Sequence, residues 1–482
     1  RSEKEENMKQ MKKMLVFLLA VAMGMTMTAC NESTQNESSK EESIGTEQSS
    51  REETAYDFGG VEVKGFGGFF SEWSDEENEL AQEAKQVIEK KYNIKLVTAE
   101  MEGYDGGNDA ELLLASVASG NPACDLIALG PESSVEVLSN DLLFDLTDYV
   151  DDFKVGSFFT DAATFNGKCY GISYDDICMD SLVYDRDYLK EIGMEKTPTD
   201  MFMEGKWDYD NFKAYLVEMK SKLPDGVYPI GQYPYHWATM AASANGVPLA
   251  GQDFVLNYNN DAVIEATEFY QELLNEGLAC PPEIGVDEDG NTQYTWHYSF
   301  GDEKIVLGRA EHWALGGFTQ NYGVVYWPWG SNITCEGDYT TLSDNYKVAR
   351  NYIVFMGVVD ATKTGIPGNV LMQIAMDYSN EVGNRPYLRD SYEAEQAGNY
   401  QLACSGAGTA RSFRTEQDIE LYDWATSRNI IEWTWALDSA GLVKCWEPWQ
   451  NIYGQNLDAR STLESYQKEG AKALEDAGFP QK

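Results

Sequence analysis

The chain has 482 residues, with 36 Lys and Arg against 80 Asp and Glu, for a formal charge of −44. At roughly 100–200 residues per domain this is about three domain-equivalents, or two large lobes; an apolar fraction of 43% and an aromatic fraction of 12% exclude global disorder. So acidic a surface repels a phosphate backbone or an anionic membrane, so no nucleic-acid partner is expected, and the charge reads as solubility outside the cell.

Lys12 and Lys13 precede an uncharged run of 16 residues, 14–29. That is a short basic region and an apolar stretch below the length of about 20 that spans a membrane. It ends in Met27-Thr28-Ala29-Cys30, which resembles the lipobox of bacterial lipoproteins, with Met27 where Leu is usual. Residues 1–29 are therefore expected to be a signal peptide, those before Met8 belonging to an upstream start assignment, and Cys30 to be lipidated. Two acyl chains on one cysteine give stable anchoring where one is marginal. Residues 30–56, rich in Ser, Glu, Asn and Gln, read as a flexible tether. Loss of 1–29, with five basic and three acidic residues, leaves a charge of −46. The other seven cysteines (124, 169, 178, 280, 335, 404 and 445) are odd in number and form no CxxC, so neither a disulfide framework nor a zinc ribbon is suggested. Most read as small buried hydrophobes.

From residue 61 strands and helices alternate. VEVKGF (61–66) reads as a strand, followed by a helix with Ser74 and Glu77 as a capping box and Leu80, Ala84, Val87 and Ile88 on one apolar face. IKLVTAE (94–100) is a second strand, 109–120 a helix with Asp109 as N-cap and Gly120 as stop, and DLIAL (125–129) a third strand. This βαβαβ order argues for a parallel, helix-covered sheet, whose ligands sit at the carboxyl ends of the strands. That rule points at loops 65–73 and 130–133. Further helices are expected over 207–223 and 260–277, the latter ending at Gly277, and through most of the chain after 416.

Enzyme signatures are missing. There is no P-loop, and GFGGFF and GAGTAR lack the final glycine of a dinucleotide fingerprint. His236, His297 and His312 have no metal-ligand spacing. VDEDGN (286–291) would place Trp296 where a calcium loop needs Glu, so it reads as a turn. Gly167-Lys168-Cys169-Tyr170-Gly171 has the outline of a nucleophile elbow, but a polar turn precedes it and ISYDD follows it, where the motif requires strand and helix. No catalytic residues, cofactor or metal are expected.

Six segments in order carry a family resemblance. They are GNPACDLIALGPES (120–133) with LLFDLTDYV (142–150), GKCYGISYDDICMDSLVYDRDYLKEIG (167–193), TPTDMFMEGKWDYDNFKAYLVEM (197–219), FGDEKIVLGRAEHWALGG (300–317), NYGVVYWPWGSN (321–332) and LDARSTLESYQKEGAKALEDAGF (457–479). Together they resemble the family 1 extracellular solute-binding proteins, the carbohydrate receptors of ABC importers, with Ser173 where Pro is usual and Asp185-Arg186 where Asn-Lys is usual. The resemblance implies an α/β chain of the type II periplasmic-binding-protein fold, with two α/β lobes joined by a hinge that the chain crosses several times. Lobe 1 would comprise 57–173 with 355–400, and lobe 2 would comprise 174–354 with 401–482. It also implies a monomeric, non-enzymatic receptor, lipid-anchored at the extracellular face of a Gram-positive cell membrane, that passes a small carbohydrate to ABC permease subunits.

A pyranose has an apolar C–H face and a belt of hydroxyls, so Trp and Tyr rings together with carboxylates and amides suit it. By the family pattern Glu132, Tyr174, Asp175, Tyr235, Trp237, Trp313, Gly316, Phe318, Trp446 and Trp449 are expected ligand contacts; Phe70 and Trp73 follow from the strand-end rule as well. Trp207 and Trp433 are assigned to the core. The ligand is expected to be an oligosaccharide. The alternatives are a non-sugar solute (a peptide or polyamine) in the same fold, or a surface glycoside hydrolase.

Overall fold

The computed structural model describes residues 56–67, 75–105, 107–173, 180–287, 290–351, 354–383 and 413–481, without the side chains of 75–80, 158, 313, 382 and 383. Cys30, Phe70, Trp73, Tyr174 and Asp175, and the expected cap at Ser74, lie outside the described residues.

The first third of the chain follows the expected alternation: β1 (Val61–Phe66), α1 (Asp75–Tyr92), β2 (Ile94–Thr98), α2 (Asp109–Ala118), β3 (Leu126–Leu129) and α3 (Pro131–Ser139). Asp109 is the first helical residue of α2 rather than its cap, which is Asn108. Gly120 closes that helix at φ +74°, a left-handed value that a Cβ disfavours. The buried Asp125 locks the third strand in place: its carboxylate accepts from the Lys64 amide at 2.8 Å and from the Thr362 hydroxyl at 2.5 Å. The aspartate of the GNPACD segment is therefore a structural clamp.

Next come the small hairpin β4 (Thr164–Phe165) and β5 (Lys168–Cys169), then β6 (Gly171–Ile172). The nucleophile-elbow outline is thus a hairpin, and burial pushes the Cys169 thiol up, away from the reactive thiolate. The chain then builds β7 (Asp180–Asp185), α4 (Tyr209–Lys220), β8 (Tyr228–Ile230), α5 (Pro234–Ala244), α6 (Asp261–Asn275), the hairpin β9 (Glu283–Val286) and β10 (Thr292–Thr295), β11 (Ile305–Glu311), β12 (Tyr322–Val325), β13 (Val348–Arg350) and β14 (Phe355–Val358). Asp208 and Asn260 cap α4 and α6 with side-chain acceptors, as helix N-termini demand. The chain continues through α7 (Gly368–Gly383), α8 (Glu416–Thr426), β15 (Asn429–Ile431), α9 (Thr434–Ser439), α10 (Glu447–Gln455) and α11 (Ala459–Asp476).

Two sheets organise these elements. The first has the order β2-β1-β3-β14-β6, with β1 parallel to both β2 and β3, and β14 antiparallel to β3 and β6. Gly171 is required where β6 meets β14, because a Cβ there would strike the Met356 carbonyl. The second sheet has the order β12-β7-β11-β8, antiparallel except for β11 with β8. The chain leaves the first sheet after Ile172, enters the second at Asp180 and returns to the first at Phe355. There the Arg350 guanidinium donates to the Ser173 hydroxyl at 2.7 Å, and that hydroxyl donates to the Val354 carbonyl at 2.8 Å. Glu432, just past β15, donates its amide to the Arg350 carbonyl and joins a third stretch of chain to the junction.

Candidate functional site

The strongest site lies where β8 and β11 end and α5 begins. These two strands are parallel, so their carboxyl ends open on the same side. Pro234 at the first position of α5 starts the helix abruptly and leaves Tyr233 as the preceding cap residue. Tyr233 and His236, three residues apart on a helical face, are half-buried, whereas Pro234, Tyr235 and 237–244 are buried. Helix α5 packs against α6, β13 and α10, so only its first turn faces outward.

Around that turn stands a cluster of aromatic rings. Tyr233 meets Tyr298 at 5.5 Å and Trp446 at 5.4 Å between ring centroids, both edge to face. His236 lies 6.0 Å from Trp446 and 6.3 Å from Tyr298, and Trp435 lies 6.4 Å from Trp446. Tyr233, His236, Tyr298, Trp435 and Trp446 are all only partly buried, so the cluster keeps ring surface open. Tyr235 underlies it, fully buried, its ring 4.5 Å from that of Trp446.

Beneath the rings is a polar layer. Arg309 on β11 pairs with Asp180 at 2.8 Å and Glu311 at 2.6 Å. The β7–β11 register sets Glu311 opposite Asp180 and Arg309 opposite Leu182, so all four side chains share one sheet face. Burial pushes the Asp180 carboxyl up, and the Arg309 guanidinium opposes that shift. Burial, with Arg309 nearby, holds the His236 imidazole neutral at pH 7, able to donate at one nitrogen and accept at the other. Gln232 is fully buried between β8 and α5, and neither its Nε2 nor its Oε1 is hydrogen-bonded.

Glu132 occupies the first turn of α3, which packs directly against α9, the helix of Trp435. Glu132 is open to solvent, yet burial by the surrounding protein raises its pKa, with Asp109 adding to the shift. Burial raises the Tyr104 phenol, and Asp109 and Glu132 raise it further. Its ring stands edge-on to Phe66 at 5.0 Å.

The structure thus brings Tyr235 and Trp446 together and places Glu132 on α3, which packs against the helix of Trp435. Three expected contacts are sealed in the core instead, Tyr235 beneath the rings, Trp237 and Trp449. Trp237 is fully buried, stacked on Tyr270 at 4.7 Å, with its indole N–H donated to the Ala266 carbonyl. Trp449 is equally sealed, its N–H on the Thr267 hydroxyl at 3.1 Å and its ring against Tyr258. The reason is shared: α5 and α10 are each packed on by neighbouring helices. Phe318 turns away from the cluster to pack edge-on against Phe300 at 4.9 Å. Gly316 is an exposed residue of the 3₁₀ turn His312–Gly317, which also holds Trp313. Trp207 and Trp433 are in the core, as assigned. Sequence reasoning missed Tyr233, His236, Tyr298, Trp435, Gln232 and Arg309; of these, the pair Tyr233 and His236 was within reach from Pro234 as a helix start.

Among the described residues no group of His, Cys, Asp or Glu could hold a metal ion, and no helix is long and apolar enough to cross a membrane. No curated protein matches the chain. Among solved structures, the sugar-binding protein MalE of Xanthomonas citri is similar with a TM-score of 0.59 at 13% identity, covering 87% of this chain and 98% of its own. The cyclic alpha-maltosyl-1,6-maltose binding protein of Arthrobacter globiformis gives 0.57 at 14%, covering 87% and 100%. UgpB of Mycobacterium tuberculosis, solved with glycerophosphocholine, gives 0.52 at 14%, covering 87% and 99%. At these identities the likeness establishes the fold, two α/β lobes of the periplasmic-binding-protein type. A family model for bacterial extracellular solute-binding proteins matches residues 83–363, more than half of the chain. The chain therefore belongs to the bacterial extracellular solute-binding protein family.

Proposed function

We propose that this protein is a lipid-anchored receptor that closes its lobes on an oligosaccharide and presents it to the permease subunits of an ABC importer. The partly open ring cluster Tyr233–His236–Tyr298–Trp435–Trp446 carries the reading. Rings of this kind cover the C–H face of a pyranose, while Gln232, neutral His236 and Glu132 offer amide, imidazole and carboxylate to its hydroxyls. Several adjacent rings suit more than one sugar unit. Each satisfied hydrogen bond to a charged group contributes roughly 1.5–3 kcal/mol once closure has removed water. The hinge turns that energy into a population of closed molecules, which a permease can distinguish from empty ones.

In this reading 57–173 with 355–400 forms one lobe and 174–354 with 401–482 the other, Cys30 carries the lipid, and 30–56 tethers a monomer to the outer face of the membrane. The division into two sheets, with β14 returning to the first from beyond residue 350, supports those boundaries. Two sugar-binding neighbours of the same fold support the ligand class. Titration of the full chain with a panel of oligosaccharides, following tryptophan emission and heat, tests it; glycerophosphocholine, a peptide mixture and spermidine complete the panel. A saccharide response is expected. A response to a non-sugar solute with none to any saccharide overturns it, and release of cleaved product from a saccharide establishes a hydrolase instead.

A further inference from the structure

The charges around the ring cluster are lopsided. On the side of the first sheet, α3, which packs against the Trp435 helix, carries Glu132 close to the largely buried Asp109, and among the described residues neither makes an ion pair. On the side of the second sheet Arg309, whose amide donates to the Tyr298 carbonyl beside the rings, is already claimed by two carboxylates at 2.8 and 2.6 Å, Asp180 and Glu311. That triad keeps a net negative charge, and His236 adds none, being neutral. Gln232, the buried group with its whole amide unbonded, is neutral too. An arginine locked between carboxylates is a poor receptor for a third anion, because binding one breaks a buried pair.

We propose that the site selects saccharides free of carboxylate, sulfate or phosphate groups, and favours those bearing an amine over otherwise identical neutral ones. This deepens the carbohydrate reading above and rests on it. Discrimination arises mainly from repulsion: Glu132 and Asp109 on the side of the first sheet and the acidic triad on that of the second raise the cost of bringing an anion into a desolvated space. The same groups attract an ammonium, and the open faces of Tyr233, Tyr298 and Trp446 add to that attraction.

The test uses one sugar in three charge states. The neutral oligosaccharide that binds the full chain most tightly is compared with its C6-oxidised uronate and with its 6-amino analogue, by calorimetry at low and high salt. The uronate is expected to bind at least about tenfold more weakly than the parent, about 1.4 kcal/mol, and the amine as tightly or more tightly. Raising salt from roughly 20 mM to about 500 mM should narrow the uronate's deficit and weaken the amine, leaving the neutral sugar unchanged. Glu132→Gln, at a solvent-open position, should narrow the deficit without lowering thermal stability. A uronate that binds as tightly as its parent overturns the inference and leaves the carbohydrate reading standing. So does a deficit unaffected by both salt and Glu132→Gln, since that marks a steric effect. If no saccharide of any charge binds, both readings fall together.

Discussion

Trp446 and Trp449 stand three residues apart at the start of one helix, yet they sit in different regions of the molecule. Trp449 faces into the seam between α6, α10 and Tyr258, where its N–H is bonded and no ring edge is open. Trp446 precedes the helix proper and lies over Tyr235 among partly exposed rings. The same contrast divides α5, where Trp237 belongs to the sealed seam and Tyr233 and His236 to the open cluster. Aromatic residues at neighbouring positions thus do two jobs, holding helices together and offering ring faces to the outside.

The contrast can be broken most forcefully from the sealed side. Trp237→Ala removes a fully buried indole and its hydrogen bond, and should cost about 3–5 kcal/mol of stability in chemical denaturation, with ligand affinity of the folded fraction unchanged. Lost affinity at unchanged stability would place Trp237 in the site after all. From the open side, Trp446→Ala should weaken saccharide binding roughly 10- to 100-fold by calorimetry while the melting temperature moves only slightly. A steep stability loss with intact affinity would return Trp446 to the core.

A smaller effect separates the two regions by pH. His312 is fully buried among Tyr326, Phe413 and Tyr422, and burial lowers its pKa from 6.5 to about 3. The unfolded chain takes up that proton first, so the stability His312 confers as a neutral ring is lost as pH falls from about 6.5 towards 3. His312→Phe should therefore gain stability relative to the parent as pH drops from about 7 to about 4.5, read as a widening difference in melting temperature. A difference constant with pH would sink this assignment. Glu432 works in the opposite sense: burial raises it from 4.5 to about 7, so the stability it adds when protonated is present below about 4.5 and lost as pH rises through 7. The single-variant difference, rather than the whole profile, is accordingly the readout.

The first sheet was largely legible from residue order. β1, β2 and β3 are short runs rich in apolar residues separated by helices, and their parallel pairing follows from the alternation. β14 was not, because its pairing with β3 joins residues more than two hundred positions apart and no local pattern announces it. The second sheet was harder still: β8 is three residues long and finds its place only through β11. At the site, the aromatic richness of 233–240 and 446–449 was visible, but not which rings remain open.

Residue order and the spacing of apolar residues determined the strand–helix alternation of the first sheet, since those signals act within a turn or two of chain, while the division into two lobes came with the family resemblance. Composition also pointed to aromatic rings as the means of recognition. Which rings face outward was settled by packing: α5 is covered by α6, β13 and α10, and that enclosure buries Trp237 and leaves Tyr233 and His236 half-buried. The acidic surplus acquired its meaning in the same way. As a total of −44 it spoke only of solubility. Folding brings Asp180 and Glu311 onto Arg309 and Asp109 close to Glu132, because Coulomb forces depend on distances in space, which order along the chain does not specify.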